Sequence, residues 1–377
     1  MNGNKYFALR TAALALLTLD TAMAAAPTEI DSELKFHTYD EEARMRVDST
    51  VGWLLLPLGS NHGIDLTVTH EAISGASPEY VTNQSGKPVQ VLSSASIVER
   101  RDSVKLKYNH YRGEHTFSLG AVTSKEDDYE SRGASLGYQR EWKAQGTTLN
   151  FGVGANDDDV MSSRDPMLQE LRKTHEYLIG VTQVLNRVTV VQSNISYITG
   201  EGYFSDPYKF TISVNGGTTS VYLDTRPPEH KQLVWLTGLR HHLPSTGATL
   251  ITSYRYYQDD WGVIAHSVEF GWHQALGRFS VRPSLRYYTQ RQADFYAHSL
   301  PAVPRAKDGA ISTDHRLAGY GAINAGLRLA YAFNPRVQMS GSIEYYTQDP
   351  DLKMGPGGSS FDDLQATIFS IGINAKF

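Results

Sequence analysis

The stretch LQATIFSIGINAKF at residues 364–377 alternates between two kinds of side chain, and this alternation decides the fold. One face collects the mostly apolar set Thr367, Phe369, Ile371, Ile373, Ala375 and Phe377. The other face is mostly small or polar, with Ala366, Ser370, Gly372, Asn374 and Lys376. Because successive side chains of a strand point to opposite faces, a period of two predicts a β-strand that separates two different environments.

The same alternation recurs from about residue 34 onward. Within 278–290, for example, Phe279 and Leu285 oppose Arg282 and Ser284. We predict about sixteen strands, at 34–41, 44–57, 63–74, 101–112, 115–125, 131–143, 147–157, 174–185, 188–200, 230–241, 247–258, 261–274, 278–292, 317–333, 336–348 and 364–377. The first two segments carry the weakest pattern, so fourteen strands is the alternative.

Alternation alone fits a soluble secreted sandwich, whose apolar faces meet a core, and equally a membrane barrel, whose apolar face meets lipid. Many segments exceed the usual five or six residues of a strand, which favours the barrel. Short connections such as 112–115 and 334–336 alternate with long ones such as 201–229 and 293–314, with the compact link 258–262 as the one exception. We therefore predict an all-β, transmembrane, antiparallel up-and-down barrel with short periplasmic turns and long extracellular loops.

Both ends of the chain carry features typical of targeting. Residues 1–24 predict a signal peptide, with basic Lys5 and Arg10 before a short apolar stretch, followed by a periplasmic segment at 25–33 and the barrel at 34–377. The C-terminal set resembles the assembly signal of bacterial outer-membrane barrels: Phe369, Ile371, Ile373 and Phe377. We expect export to the bacterial outer membrane, with the barrel-assembly machinery, membrane lipids and lipopolysaccharide as partners.

Composition excludes several other classes of protein. The 377 residues contain no cysteine, so disulfide frameworks, thiolate metal sites and cysteine nucleophiles are excluded. Basic residues number 35 against 40 acidic ones, and this net charge of -5 argues against a nucleic-acid partner. An apolar fraction of 40% is too low for a polytopic helical membrane protein.

Three strands end in a shared tyrosine signature. Its copies are Arg255-Tyr256-Tyr257-Gln258, Arg286-Tyr287-Tyr288-Thr289-Gln290 and Glu344-Tyr345-Tyr346-Thr347-Gln348. Adjacent tyrosines point to opposite faces, so one of each pair is expected in an aromatic belt at the membrane surface. The other of each pair, namely Tyr257, Tyr288 and Tyr346, is expected in the lumen, as part of a plug or as a constriction.

Several linked motifs give the chain a family resemblance. They are YRYYQDDWG at 254–262, RPSLRYYTQRQADFY at 282–296, SGASP at 74–78, SDPYK at 205–209 and YTQDP at 346–350. The chain resembles the bacterial family named domain of unknown function three-five-seven-zero over nearly its whole mature length. The resemblance implies an outer-membrane barrel, often encoded beside thioredoxin-like proteins, lipoproteins and flavin transferases. It implies no established functional residues.

Charged residues on the predicted inner faces form the first candidate site. Together with the three inward tyrosines, the candidates are Arg255, Glu269, Arg282, Arg286, Arg328 and Glu344. Because a charge on the lipid face costs about 2–4 kcal/mol near mid-membrane, inward placement is expected whatever the function. Cross-barrel ion pairs and a selectivity ring for an ionic solute are both open.

Acidic residues at strand ends form the second candidate site. These predicted extracellular carboxylates are Asp127, Asp128, Asp158, Asp159, Asp259, Asp260 and Asp294. They match no calcium-binding loop pattern, so solvated loops are expected and no metal site is predicted. A single extracellular helix is predicted at 165–171, because Asp165 suits an N-cap and Pro166 a first helical position.

The leading functional hypothesis is a channel or carrier for a small polar or charged solute. The alternative, from the resemblance, is a scaffold for a periplasmic or lipoprotein redox partner in envelope electron transfer or flavin-linked processes. Motifs of a serine-hydrolase elbow, a zinc protease or a phosphate-binding loop do not occur, so neither enzymatic activity nor a cofactor is expected.

Overall fold

The computed structural model describes residues 26–42, 44–75, 78–84, 87–92, 97–215, 218–297, 309–355 and 363–377; the predicted signal peptide lies outside them. Sixteen of the described strands belong to one barrel. They are β1 (Asp31–Glu41), β2 (Met45–Pro57), β3 (His62–Gly75), β6 (Ile97–Arg112), β7 (His115–Lys125), β8 (Tyr129–Trp142), β9 (Thr147–Met161), β10 (Gln169–Asn186), β11 (Thr189–Gly202), β14 (Glu229–Leu243), β15 (Ala248–Asp259), β16 (Ile264–Leu276), β17 (Phe279–Gln290), β18 (Tyr320–Asn334), β19 (Val337–Asp349) and β20 (Leu364–Lys376). Two hairpins outside the barrel supply β4 (Pro78–Gln84) with β5 (Lys87–Leu92), and β12 (Phe210–Asn215) with β13 (Thr218–Leu223).

The barrel closes by antiparallel pairing of its first and last strands. Asp31 lies opposite Lys376 and Glu41 opposite Ala366, and the Lys376 ammonium lies 3.5 Å from the Asp31 carboxylate. The prediction of a sixteen-stranded antiparallel barrel is confirmed. The fourteen-strand alternative is wrong because β1 and β2, the segments with the weakest pattern, are fully paired. The sandwich is wrong because the strands form a single closed ring.

The two faces of the wall differ in chemistry. Along β20, Phe369 and Ile373 are exposed on the outer surface, whereas Ser370 and Gly372 are buried on the inner one. The outer surface carries exposed large apolar residues on strand after strand, for example Leu136 on β8. This is the pattern that a membrane barrel requires, because its outer side chains meet lipid.

The two ends of the barrel also differ. At the end that carries Asp31, which we call the turn end, connections have two to four residues: 58–61, 113–114, 143–146, 187–188, 244–247, 277–278 and 335–336. Gly113 and Gly277 adopt φ of 63° and 64°, a left-handed backbone that suits glycine in tight turns. The opposite loop end has long connections, but 42–44, 126–128 and 260–263 are short. The prediction of a single compact exception there is therefore wrong.

The predicted helix at 165–171 is also wrong. Asp165 makes only one turn, in which its carbonyl accepts a hydrogen bond from the amide of Leu168 at 3.0 Å. β9 and β10 extend further than predicted, with Met161 opposite Gln169, and this leaves too few residues for a stable helix. Three 3-10 turns occur in the described chain, at Lys143–Gln145, His315–Leu317 and Pro350–Leu352. Nowhere in the described ranges is there a helix of the length and apolarity needed to cross a membrane.

Candidate functional site

The inner wall carries paired charge at mid-height. Glu269 on β16 lies directly opposite Arg286 on β17, and Arg286 donates from Nε and Nη2 to Glu269 Oε2 at 3.0 and 2.6 Å. Arg282 Nη2 lies 3.8 Å from the other oxygen of Glu269. The side chains of Arg286, Arg282 and Glu269 are 51%, 35% and 24% exposed. The guanidinium groups therefore reach open space inside the barrel.

The neighbouring strands add further charge. Arg328 lies directly opposite Arg282, and its Nη2 donates to Ser340 Oγ at 3.2 Å. Glu344 accepts a hydrogen bond from Asn324 Nδ2 at 2.9 Å. The structure places all six charged lumen candidates on the face opposite the exposed apolar residues: Arg255, Glu269, Arg282, Arg286, Arg328 and Glu344.

Four strands that run toward the loop end share one hydrogen-bonding arrangement. The hydroxyl of an inward tyrosine donates to the side chain two residues later: Tyr39 to Glu41 at 2.8 Å, Tyr257 to Asp259 at 2.8 Å, Tyr288 to Gln290 at 2.5 Å and Tyr346 to Gln348 at 2.9 Å. These four tyrosines lie on alternate strands along one side of the barrel (β15, β17, β19 and β1), and we call them the tyrosine ring. Three of them belong to the tyrosine signature predicted from the sequence; Tyr39 does not, although Thr38-Tyr39-Asp40-Glu41 has the same spacing.

Two long loops lie over the tyrosine ring. They connect β11 with β14 (203–228) and β17 with β18 (291–319), and we call their described parts the cover. Thr225 and Ile311 join them through reciprocal backbone hydrogen bonds of 3.0 and 2.9 Å. Tyr208 of the first loop donates to the Asp128 carboxylate beside β7, while the second loop follows β17. β7 is the fifth and β17 the thirteenth of the sixteen barrel strands, so these two anchoring points lie on opposite sides of the barrel. The cover therefore spans the mouth from side to side.

A buried ion network, which we call the latch, fastens the two loops together. Arg226 donates to Asp224 at 2.7 Å and to Asp314 at 2.8 Å, and Arg316 binds Asp314 and Asp206, the latter at 3.1 Å. The side chains of the three aspartates are almost completely buried. Such a network is costly to break because removing one partner leaves a buried charge without compensation.

The pKa values in the latch reflect this burial. Burial alone would raise the pKa of Asp314, but Arg316, Lys209 and Arg226 together hold it well below its usual value. Burial likewise opposes the charge of Arg226, but Asp224 and Asp314 raise its pKa above the ordinary range. Next to Asp314, burial lowers the pKa of His315 to about 3. Asp314 and Arg226 are therefore ionised, and His315 is neutral, at neutral pH.

An aromatic cluster anchors the cover to the wall. The ring of His230 stacks on Trp261 at 3.7 Å between centroids, and Phe204 contacts both edge-on at 5.7 Å. His230 Nε2 lies 3.0 Å from the Asp259 carboxylate, which also accepts from Tyr257. His230 is only 1% exposed, so this histidine–aspartate pair is shielded from solvent.

The acidic candidates divide into two groups. Asp127, Asp159, Asp260 and Asp294 are exposed, whereas Asp128, Asp158 and Asp259 are buried. The expectation of solvated loops is therefore wrong for the buried three, because each meets a specific donor from a neighbouring segment. Arg172, for example, donates to Asp158 at 2.7 Å. Asp158 and Asp159 also lie within β9 rather than in a loop.

The C-terminal candidates lie on the outer surface of β20. Phe369, Ile373 and Phe377 are exposed, and Ile371 is half-buried on the same face.

The outward tyrosines differ in their contacts. Tyr345 is exposed, whereas the hydroxyl of Tyr287 donates to the carbonyl of Leu352 at 2.7 Å. The outward tyrosine of β17 thus holds the loop that follows β19.

One cluster in the described residues has the composition of a cation site. Oxygens of Glu99, Glu126 and Asp128 lie within 4.8 Å of one another, and all three side chains are buried. Asp128 is among the acidic candidates predicted from the sequence, whereas no sequence pattern pointed to Glu99. The latch was not predicted, and its one sequence signal is Asp206 in the SDPYK motif at 205–209.

Comparisons with known proteins agree with the barrel. The family described as Protein of unknown function (DUF3570) matches residues 7–171 and 163–367. A bacterial polysaccharide outer membrane secretin superposes with a TM-score of 0.51 and 8% identity, covering 92% of this chain and 98% of its own. CdiB from Acinetobacter baumannii gives a TM-score of 0.51 and 9% identity, covering 93% of this chain and 60% of its own. These similarities show the fold of an outer-membrane barrel, and no curated protein matches the sequence.

Proposed function

Because this chain belongs to the DUF3570 family and has the fold of an outer-membrane barrel, we propose that it is a channel or carrier for a small polar or charged solute. The observation that carries the proposal is the charged, partly exposed inner wall around Glu269, Arg282 and Arg286. Inward placement of these charges is expected in any barrel, but guanidinium groups that stay one-third to one-half exposed are accessible to a solute in the lumen. The cover makes this a gated pathway, because a solute that crosses must pass it.

The latch gives a direct test of gating. Replacing Arg226 by alanine leaves Asp224 and Asp314 buried without their shared partner, at a cost of about 3–5 kcal/mol to the closed cover. We expect Arg226→Ala to raise the ratio of open to closed barrels by roughly two to four orders of magnitude. The measurement is single-channel conductance of the full chain in planar lipid bilayers.

Arg132→Ala is the matched control. Arg132 is 72% exposed and pairs with Glu130 at 2.6 Å on the outer surface near the same end of the barrel, so its loss should leave conductance unchanged. Heat-modifiable migration on a gel verifies that each variant is folded. Folded wild-type and Arg226→Ala barrels that pass no ion at any voltage would refute the channel.

A scaffold for a redox partner is the second candidate function. The observation that favours it is the cover itself, since Tyr257 packs in its aromatic cluster and Tyr288 and Tyr346 lie at the same level. A permanently closed mouth suits a scaffold better than a pore. Pull-down of the native barrel distinguishes the two: a flavoprotein, cytochrome or lipoprotein recovered with a non-conducting barrel supports the scaffold.

We further propose that the barrel resides in the bacterial outer membrane after signal-peptide-directed export. The exposed apolar outer surface supports contact with membrane lipids, and the loop end supports contact with lipopolysaccharide. Assembly by the barrel-assembly machinery is supported by the outer-face set Phe369, Ile371, Ile373 and Phe377.

A further inference from the structure

We infer that the inner wall holds a binding site for a small oxyanion, a carboxylate or a phosphate, centred on Arg282 and Arg328. The inference rests on the proposed function and specifies its solute. The two arginines occupy directly opposite positions on β17 and β18, on the same inner face. Like charges in directly opposite positions destabilise a sheet, so this pairing calls for a negative counter-charge.

The wall supplies that counter-charge only in part. Glu269 is the nearest carboxylate, but its Oε2 already accepts two hydrogen bonds from Arg286, and its Oε1 lies 3.8 Å from Arg282. Arg328 donates to the neutral hydroxyl of Ser340. Glu344 faces the lumen as well, and its carboxylate accepts from Asn324 at 2.9 Å.

The sector as a whole carries excess positive charge. Below the tyrosine ring, the inner faces of β15–β19 carry four arginines and two glutamates, which leaves two positive charges with histidine counted as neutral. The arginines are Arg255, Arg282, Arg286 and Arg328, and the glutamates are Glu269 and Glu344. A wall with this surplus attracts anions and repels cations that enter the lumen.

A row of small residues lies beneath the charged side chains of this sector. Gly271, Ser284 and Gly326 lie in one row across β16, β17 and β18, between Arg282 and Arg286 along the wall. A Cβ atom added at Gly271 would lie only 3.3 Å from Arg282 Nε, so the guanidinium lies directly over this glycine. A Cβ atom added at Gly326 would lie 2.8 Å from Ser284 Oγ and 3.1 Å from Glu344 Cγ, so the side chain of Glu344 covers the other end of the row. The small residues therefore let the charged side chains lie flat on the wall, with their exposed edges toward the lumen.

The chemistry of the exposed guanidinium groups selects oxyanions. A planar guanidinium binds carboxylate or phosphate through two parallel hydrogen bonds, and its charge does not depend on pH in the physiological range. Arg282 and Arg286 are one-third to one-half exposed, so a solute in the lumen reaches them without displacing protein. Ser284 and Ser340 add hydroxyl donors at the same place.

Ion selectivity tests the site in the conducting barrel. We expect the full chain in planar bilayers under a potassium chloride gradient to prefer chloride. Arg328→Gln and Arg282→Gln should each lower the anion-to-cation permeability ratio at least about twofold, whereas Arg328→Lys should keep most of it. Arg336→Gln, which removes an exposed arginine in the β18–β19 turn, is the control with the same change in net charge. A cation-selective barrel, or a ratio unchanged in both glutamine variants, would overturn the inference.

Binding to the folded barrel separates this inference from the proposed function. Calorimetric titration of detergent-solubilised barrel with inorganic phosphate, and separately with succinate, should show binding that Arg328→Gln weakens at least about tenfold and Arg336→Gln does not. The stronger of the two ligands identifies the oxyanion. Binding without conductance would support the site and count against the channel. Conductance without binding of either anion would overturn the site and leave the channel intact.

Discussion

His315 is the residue in the cover whose protonation should report on opening. Its ring is buried beside Asp314, and burial together with Lys209 and Arg316 outweighs the attraction of Asp314 and lowers its pKa to about 3. An opened cover returns the ring to water, where its pKa is about 6.5. Opening therefore takes up a proton when the pH lies between about 3 and about 6.5. Within this range, each unit of falling pH favours the open form by up to about tenfold.

Replacing His315 by glutamine should remove this contribution. The measurement is the open probability, or the rate of proteolysis within the cover, at about pH 7 and about pH 5 in both proteins. Burial raises the pKa of Asp224 and thereby opposes the trend, so the difference between wild type and His315→Gln isolates the histidine. Equal pH dependence in the two proteins would contradict the assignment.

Single residues were predictable from the sequence where a strand positions them. Alternation alone put Arg282 and Arg286 on one face and Leu285 on the other, and the strand register then paired Arg286 with Glu269. Loop residues have no such period. Arg226 and Asp314 are 88 positions apart and meet only because the cover folds across the mouth, so neither sequence pattern nor composition could pair them.

At the scale of elements, the errors have local causes. The hairpin of β12 and β13 lies in a segment read as loop, although Asn215-Gly216-Gly217 between two β-branched runs is a typical turn signal. The helix expected at 165–171 rested on capping residues alone. β9 ends at Met161 and β10 begins at Gln169, both beyond the predicted strand ends at 157 and 174, so only the seven residues 162–168 lie between the two paired strands.

The 3-10 turn Pro350–Leu352 offers a test of element packing. It lies against the outer wall, and a Cβ atom at Gly321 would clash with the carbonyl oxygen of Leu352. Gly321→Ala should displace the turn and break the hydrogen bond from Tyr287 to Leu352. We expect trypsin to cleave after Lys353 about tenfold faster, because local opening controls access to the backbone.

Gly341→Ala is the control for this substitution. A Cβ atom at Gly341 would meet nothing closer than the carbonyl oxygen of Ser370 at 3.8 Å, so the alanine fits without displacement. Both variants should keep heat-modifiable migration, since neither glycine has a positive φ. Equal cleavage rates in Gly321→Ala and Gly341→Ala would show that the turn is not held against the wall.

At the scale of the whole molecule, strand number and closure follow from different information. The period of two and the turn spacing gave sixteen segments, but no local pattern specifies that β1 pairs with β20. Closure is required because an open sheet edge has unpaired backbone groups, which lipid cannot satisfy. The cover could not be predicted in this way. Its loops lie outside the membrane, where water can satisfy unpaired backbone groups, so no general requirement fixes how they fold.

The two environments of the wall give the most general test of the architecture. Leu136 is 58% exposed on the outer surface of β8, and its neighbour Ser135 faces inward between Gly120 and Gly154. Leu136→Arg should lower the free energy of unfolding in lipid vesicles by about 2–4 kcal/mol, because it places a charge in the hydrocarbon layer. Ser135→Arg adds the same charge to the lumen, where water and the small neighbouring glycines accommodate it, and should cost less than about 1 kcal/mol. Urea titration of both variants measures the difference. Equal losses, or a larger loss for Ser135→Arg, would mean that the apolar face does not meet lipid.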